Sequence, residues 1–190
     1  MSRVPMHSLV FSLQQSVRRR LSRFAQDKRG VSAVEFALIL PLMVLLYFGL
    51  VEVSQGVIVD RKVKMTARTV ADLVSQVSTI DNSGVDAALG ASTAILAPFS
   101  AANAKVIVSV VSIDNNGNAK IVWSRANKDS GHGTGDSVTV PDALKTPNTS
   151  LVWGEATYDY SPAMGYVTGP LTLSQQIFMR PRLSETVKKT

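Results

Sequence analysis

A single carboxylate interrupts the most apolar part of the sequence. Residues 27–53 begin with charged side chains and then turn almost wholly apolar, and Glu35 is the one acid between Val31 and Val51. A lone carboxylate in hydrocarbon costs roughly 3 kcal/mol or more, so Glu35 needs either a cation nearby or solvating headgroups at a membrane surface. Both interpretations stay open from position alone, because Glu35 follows the basic residues Lys28 and Arg29 closely.

The other reactive side chains form no catalytic or metal-binding pattern. The chain has no cysteine, which excludes thiolate nucleophiles and cysteine metal sites. His132 lies near Asp129 and Asp136 in a glycine-rich stretch, but one histidine and two scattered acids are a poor ligand set. An exposed loop is the favoured interpretation there. No phosphate-binding loop, dinucleotide fingerprint or nucleophile elbow is present, so we expect no enzyme, no cofactor and no metal.

The net charge of +6 is located entirely before the apolar segment. Residues 1–30 carry this whole excess, and the remaining residues balance acids and bases. Such asymmetry predicts a cytoplasmic N-terminus and a domain on the far side of a membrane. The leader fits a basic amphipathic helix on the membrane surface or an irregular basic tail. DNA binding by the arginines at 18–20 is a less favoured alternative, and we expect no nucleic-acid partner.

Residues 31–52 have the length and composition of a membrane-spanning helix, which needs roughly 20 apolar residues. No small-residue cleavage site follows them, which disfavours a conventional signal peptide. Pro41 lies in the middle and predicts a kink, because proline removes one helical hydrogen bond.

The helix is expected to continue beyond the membrane to about residue 80. An apolar stripe at steps of three and four residues predicts one packed face in residues 53–80. The "DNSG" sequence at 81–84 is interpreted as the turn that ends this helix. The stripe consists of Val63, Ala67, Val70, Val74 and Val77.

Residues 85–190 predict a compact α+β domain. A short helix over 85–99 is followed by strands at 104–113 and 119–126, joined by a "DNNGN" turn typical of a hairpin. Two further strands are expected within 149–162 and 171–182, with a flexible loop over 128–137. No long helical patterns separate the strands, so we expect an antiparallel sheet packed on the long helix. The aromatic residues on these strands are interpreted as core or sheet-face residues: Trp123, Trp153, Tyr158 and Tyr160.

The segment around Glu35 resembles known pilin-like sequences. "KRGVSAVEFALILP" has basic residues, a glycine and a glutamate five positions later, as at the processing site of type IV pilin-like proteins. The longer segment resembles the TadE-like family of tight-adherence (Flp-type) pilus systems, and "TARTVADLV" places Arg68 at a common Ala-Arg element. The matching residues are Gly30, Ala33, Val34, Glu35, Phe36, Ala37, Pro41, Gly49 and Glu52.

This resemblance implies a pilin-like fold and a role as a minor pilin (pseudopilin) in pilus assembly. A prepilin peptidase would cut between Gly30 and Val31. Glu35 and Phe36 would serve assembly and recognition, with Glu35 meeting the N-terminal amine of a neighbouring subunit. The implied partners are the peptidase, other pilin subunits, the inner-membrane assembly platform and lipid. Two alternatives remain: an uncleaved periplasmic anchor of TadG type, and a tethered periplasmic enzyme.

Overall fold

The computed structural model of the protein describes residues 28–128, 130–162, 165 and 169–190. Of the basic leader predicted for residues 1–30, residues 1–27 lie outside the described residues, as does Asp129. The chain divides into two compact units, Met1–Gly49 and Leu50–Thr190. What is described of the first unit is helical, whereas the second combines helices with a sheet. This confirms the predicted α+β class.

Helix α1 (Lys28–Ser75) is the longest element. Its first part is rich in leucine, which has high helix propensity. Within the second unit the helix becomes amphipathic, and the predicted stripe is buried at Val63, Ala67, Val70 and Val74. Val77 follows the helix and is partly buried against the same core.

The end of α1 is set by a distant part of the chain. The backbone N–H of Arg182 donates to the carbonyl of Ser75 at 2.9 Å, and the Arg182 guanidinium pairs with Asp72. The helix therefore ends at Ser75, five residues before the predicted end near 80. A contact from the C-terminal tail determines this boundary, so the local pattern of apolar residues did not reveal it.

The "DNSG" sequence begins a helix instead of ending one. Asp81 is the N-cap of α2 (Asn82–Thr93), and its carboxylate accepts a hydrogen bond from the Gly84 N–H at 2.7 Å. The interpretation as a stop signal was wrong because Asp and Asn favour turns and helix N-caps for the same reason: their side chains bond nearby backbone N–H groups. The predicted helix over 85–99 is present with shifted bounds, and a 3₁₀ turn follows it at Ala94–Leu96.

Four strands form the antiparallel sheet in the order β3-β2-β4-β5. The hairpin between β2 and β3 is confirmed, and its turn places Gly117 at a φ of +80°, a conformation that favours glycine. Two short strands, β1 and β6, pair in parallel and hold the C-terminus beside the end of α1. The strand bounds are β1 Thr79–Ile80, β2 Ala104–Ile113, β3 Ala119–Ala126, β4 Thr149–Tyr160, β5 Leu171–Met179 and β6 Lys188–Lys189.

Both faces of the sheet carry buried apolar residues. One face packs against α1 and α2 and contains Trp123, whose indole N–H donates to the Val187 carbonyl at 2.9 Å. The opposite face carries a smaller apolar cluster that includes Ile121 and Trp153. A register shift in the β2–β3 pair lets Ile121 and Trp123, two positions apart in β3, lie in different clusters.

Gly154 of β4 lets α1 approach the sheet closely. A methyl group at this position would overlap the carbonyl oxygen of Ala67 and lie 3.0 Å from the Ala71 Cβ. Both obstacles belong to the helix itself and cannot rotate away. The absence of a side chain at Gly154 therefore fixes how closely α1 and β4 pack.

We expect Gly154→Ala to lower the free energy of unfolding by about 1–3 kcal/mol, because the added methyl overpacks the helix–sheet contact. Chemical denaturation of the full chain in detergent, followed by tryptophan fluorescence, measures this. Gly90→Ala is the matched control. An added methyl at Gly90 meets nothing within 4 Å, so in α2 it should be neutral or stabilise by up to ~1 kcal/mol. Equal stability of the two variants would contradict the packing account.

Candidate functional site: an exposed apolar helix and its carboxylate

The predicted processing site lies in the first turn of α1. Gly30 and Val31 follow the start of the helix at Lys28, and both are exposed. Nothing lies within 4 Å of the position that a side chain at Gly30 would occupy. Glycine is about 1 kcal/mol less favourable than alanine in a helix. This turn therefore opens at low cost and is sterically accessible.

Glu35 and Phe36 lie on the exposed surface of α1. Residues four apart on a helix are neighbours on one face, so Glu35 lies one turn above Val31. Helical side chains lean toward the N-terminus, which brings the carboxylate toward the backbone nitrogen of Val31. A positive charge at that nitrogen would lie on the same face of the helix as Glu35. The two residues that the sequence pattern singled out are therefore neighbours along the helix.

The apolar surface around Glu35 is exposed on every side of the helix. No residue in the most apolar stretch of α1 is buried, and the helix is long and apolar enough to cross a membrane. Exposed apolar surface of this extent marks contact with lipid or with another protein. The large exposed side chains are Val31, Val34, Phe36, Leu38, Ile39, Leu40, Leu42, Met43, Val44, Leu45, Leu46, Tyr47 and Leu50.

Pro41 lies inside α1, which continues through it as one helix. Proline has no N–H, so the carbonyl of Ala37 loses its helical partner at this point. Membrane helices tolerate such a lost bond. The kink predicted at Pro41 stays a prediction.

Glu52 is the second acid of the apolar segment, and the structure buries it. Its side chain is 6% exposed, and it lines an open groove of about 320 Å³ with Tyr160, Asp60 and Leu173. Burial raises the pKa of the Tyr160 phenol, and the nearby charge of Glu52 raises it further. Sequence reasoning noted Glu52 as a matching residue but assigned it no role. Its burial makes it part of the second unit's packed structure.

The structure places His132 against the sheet and not in an exposed loop. The His132 ring stacks on Trp153 with centroids 4.8 Å apart, and its Nε2 lies 2.5 Å from a carboxylate oxygen of Glu155. The backbone N–H of His132 donates to the Ser124 hydroxyl at 3.0 Å. A side chain at the preceding Gly131 would collide with Ser124. The expectation of a solvent-exposed loop was therefore wrong at His132.

The signal for this contact was weak in the sequence. The glycines that flank His132 permit the close approach, but Glu155 and Trp153 lie on β4, more than twenty residues further along the chain. A pairing over that distance depends on the strand order, which the local pattern did not give. The contact joins a loop to the sheet, and its chemistry is that of one imidazole and one carboxylate.

The structure shows no metal-binding cluster within residues 28–128, 130–162, 165 and 169–190. In that part of the chain no three His, Asp or Glu side chains are close enough together to hold a metal ion. Glu155 is the acid beside His132, whereas Asp136 accepts a hydrogen bond from the Gly133 N–H at 2.8 Å. The weak metal site weighed for His132 is therefore not assembled among the described residues.

These features define a class of protein with one long apolar helix near its N-terminus, able to span a membrane, and a small α+β domain. Residues 30–72 match the family model described as "TadE-like protein", and the chain is similar to that family over this segment. The match begins at the predicted processing glycine, covers Glu35 and Pro41, and ends before the sheet. A search of curated proteins and one of solved structures found no match to the chain.

The His132–Glu155 contact predicts a pH-dependent stability. Burial raises the pKa of the Glu155 carboxyl, and the hydrogen bond and charge of His132 and the charge of Lys105 offset part of that effect. A carboxyl with a raised pKa binds its proton more readily in the folded state. Its favourable contribution is therefore present in acid, below the ordinary value of 4.5, and is lost as the pH rises through the raised pKa.

We expect the wild-type protein to lose stability relative to Glu155→Gln as the pH rises from about 4 to about 7. Unfolding by denaturant at several pH values measures the difference. Glu185→Gln, the same change at an exposed position, is the control and should show no such trend. A difference between wild type and Glu155→Gln that is constant over this range would contradict the assignment.

Proposed function

We propose that the protein is a TadE-like minor pilin, or pseudopilin, that takes part in assembly of an adhesive pilus of the type IVc (Flp, tight-adherence) kind. The observation that carries the proposal is the position of Glu35. It lies on a fully exposed apolar helix, one turn after a glycine–valine bond in the first turn, within the TadE-like match.

The first step is insertion of the apolar part of α1 into the inner membrane. The basic leader stays in the cytoplasm because its +6 charge opposes translocation. The second unit is then periplasmic. Lipid covers the exposed side chains of residues 31–50 until another subunit replaces it.

The second step is cleavage between Gly30 and Val31 by a prepilin peptidase. A peptide bond is cut more readily where the helix opens easily. Gly30 meets this need because it lies near the helix end and lacks a side chain. Cleavage removes the basic leader and leaves a free amine on Val31, so the new N-terminus carries a positive charge at the start of the membrane segment.

The third step is pairing of Glu35 with the amine of a neighbouring subunit. A carboxylate and an ammonium that leave water together cost far less than either one alone. A subunit in the wrong register would leave one of them unpaired in an apolar environment. The pair therefore selects register more than it adds stability, and Phe36 beside it supplies an apolar contact for the same neighbour.

The remainder of the protein has a structural role in this proposal. The partners are the prepilin peptidase, pilin or pseudopilin subunits, the inner-membrane assembly platform and lipid, and the protein itself performs no catalysis.

A second candidate function is an uncleaved, single-pass anchor of TadG type that presents a periplasmic binding or scaffold domain. The extent of the family match supports this candidate. The match ends at residue 72, so the similarity covers the helix and not the sheet. In that case residues 1–30 stay attached, the Val31 nitrogen remains an amide, and Glu35 finds no ammonium there.

We expect Glu35→Ala to abolish pilus assembly while leaving insertion and leader removal intact. Removing one member of a buried ion pair costs about 3–5 kcal/mol, which corresponds to a loss of incorporation of roughly a hundredfold or more. Electron microscopy of pili, with immunoblots of membrane and sheared fractions, measures this. Glu35→Gln should behave like Glu35→Ala, because the amide keeps the shape and loses the charge.

The matched control is Leu38→Ala, which truncates a side chain 75% exposed on the same helix and leaves all charges in place. It should retain pili. Normal piliation by a correctly inserted Glu35→Ala protein would contradict the role given to Glu35.

A further inference from the structure

Within the second unit, the charged side chains of α1 fall into two groups. One group contacts the rest of the domain, and the other faces outward. Asp60 accepts a hydrogen bond from the Gln175 amide at 2.7 Å, and Asp72 pairs with Arg182. The Lys62 ammonium donates to the carbonyls of Ile95 and Ala97 at 2.9 and 2.7 Å. These charged groups are therefore engaged by the domain itself.

Three other cations of the same helix point outward. Arg61, Lys64 and Arg68 are all exposed. At 3.6 residues per turn they fall within an arc of about 60° and cover about 10 Å along the helix. Within the part of the chain that the structure describes, no carboxylate pairs with any of the three. We call Arg61, Lys64 and Arg68 the basic stripe.

Apolar side chains accompany the basic stripe. Val57, Ile58 and Met65 are each about half exposed, at 48%, 47% and 56%, and the helical period places them beside the three cations. A face that only meets water usually mixes charges of both signs and carries few large apolar groups. A face of one charge sign interleaved with apolar groups has the composition of a docking surface for an amphipathic partner.

Lipid headgroups fit the basic stripe less well than protein does. Lys64 and Arg68 follow residue 51 by about 20 Å and about 25 Å of helix. The headgroup layer extends only about 5–8 Å beyond the hydrocarbon core. The length of helix between residue 51 and each of these two cations is therefore greater than the depth of the headgroup layer.

We propose that the basic stripe is the docking face for an acidic surface of another membrane-associated protein, whose apolar groups contact Val57, Ile58 and Met65. Complementary charge supplies the selectivity: a partner with Asp and Glu at helical spacing matches three cations at steps of three and four residues. This goes beyond the role in pilus assembly, because it holds equally for a cleaved subunit and for an uncleaved anchor.

The test uses Lys64 as a built-in probe. Native membranes and the purified protein in detergent are treated with an amine-acylating reagent, and mass spectrometry gives the acylation rate of each lysine. We expect Lys64 to react about tenfold more slowly in native membranes than in detergent. Lys120, exposed on β3, is the internal control and should react equally in both. Equal rates for Lys64 in the two samples would overturn the proposal.

A zero-length carbodiimide cross-linker identifies what protects Lys64. A cross-link from Lys64 to an Asp or Glu of another protein supports the proposal. Protection reproduced by reconstituting the purified protein in vesicles with anionic phospholipid would assign the stripe to lipid and overturn it. A cross-link confined to this chain's own carboxylates would also overturn it.

Charge variants separate docking from folding. The triple variant Arg61→Glu, Lys64→Glu, Arg68→Glu should keep the unfolding midpoint, since all three side chains are exposed, and should lose complex formation in native membranes, measured by sedimentation of solubilised complexes. Lys64→Arg should keep the complex and lose only the cross-link. The matched control is a second triple variant, which changes the net charge by the same amount at exposed positions elsewhere and should keep the complex. It consists of Lys120→Glu, Lys188→Glu and Lys189→Glu. Loss of the complex in this control would contradict a specific stripe.

Discussion

The apolar surface of α1 between Val31 and Leu50 has to be removed from water, and the rest of the account depends on that requirement. Each large apolar side chain contributes about 1.5–3 kcal/mol when it leaves water, so the exposed run represents tens of kcal/mol in total. A domain of this size has a net stability of about 5–15 kcal/mol. The free energy gained when this surface leaves water is therefore larger than the folding free energy of the second unit. Lipid or other apolar helices would provide such an environment.

One helix serves two environments because its sequence changes character near Glu52. Before this point the side chains are apolar in every direction, which suits lipid or a bundle of neighbouring helices. After it, valines and alanines occupy one face and meet a sheet that makes room for the helix at Gly154. The charged residues follow the same division: Asp60 and Asp72 bind within the domain, while the basic stripe faces outward.

The parts of the structure that depend on local sequence were predictable. β2 and β3 have the predicted bounds, because β-branched residues and a strong turn sequence define them without help from the rest of the chain. The exposure of Glu35 in an otherwise apolar helix also follows from the sequence alone. Position on one continuous helix fixes the spacing of Gly30, Val31 and Glu35, so this candidate site needed no tertiary information.

The parts that depend on distant contacts were not predictable. The end of α1 is determined by Arg182, more than a hundred residues later, and the position of His132 is determined by Glu155 and Trp153 on β4. The strand order β3-β2-β4-β5 controls which of these groups meet. A local pattern carries no information about that order, and the expectation for His132 was wrong for this reason.

The most direct test of the central claim is the intact mass and N-terminal sequence of the protein isolated from its native membranes. We expect a chain that begins at Val31, because the Gly30–Val31 bond is exposed and cleavage there creates the amine with which Glu35 of a neighbouring subunit would pair. A chain that still carries residues 1–30 would contradict it. The apolar helix would then be a permanent anchor, and Glu35 would have no N-terminal ammonium to pair with.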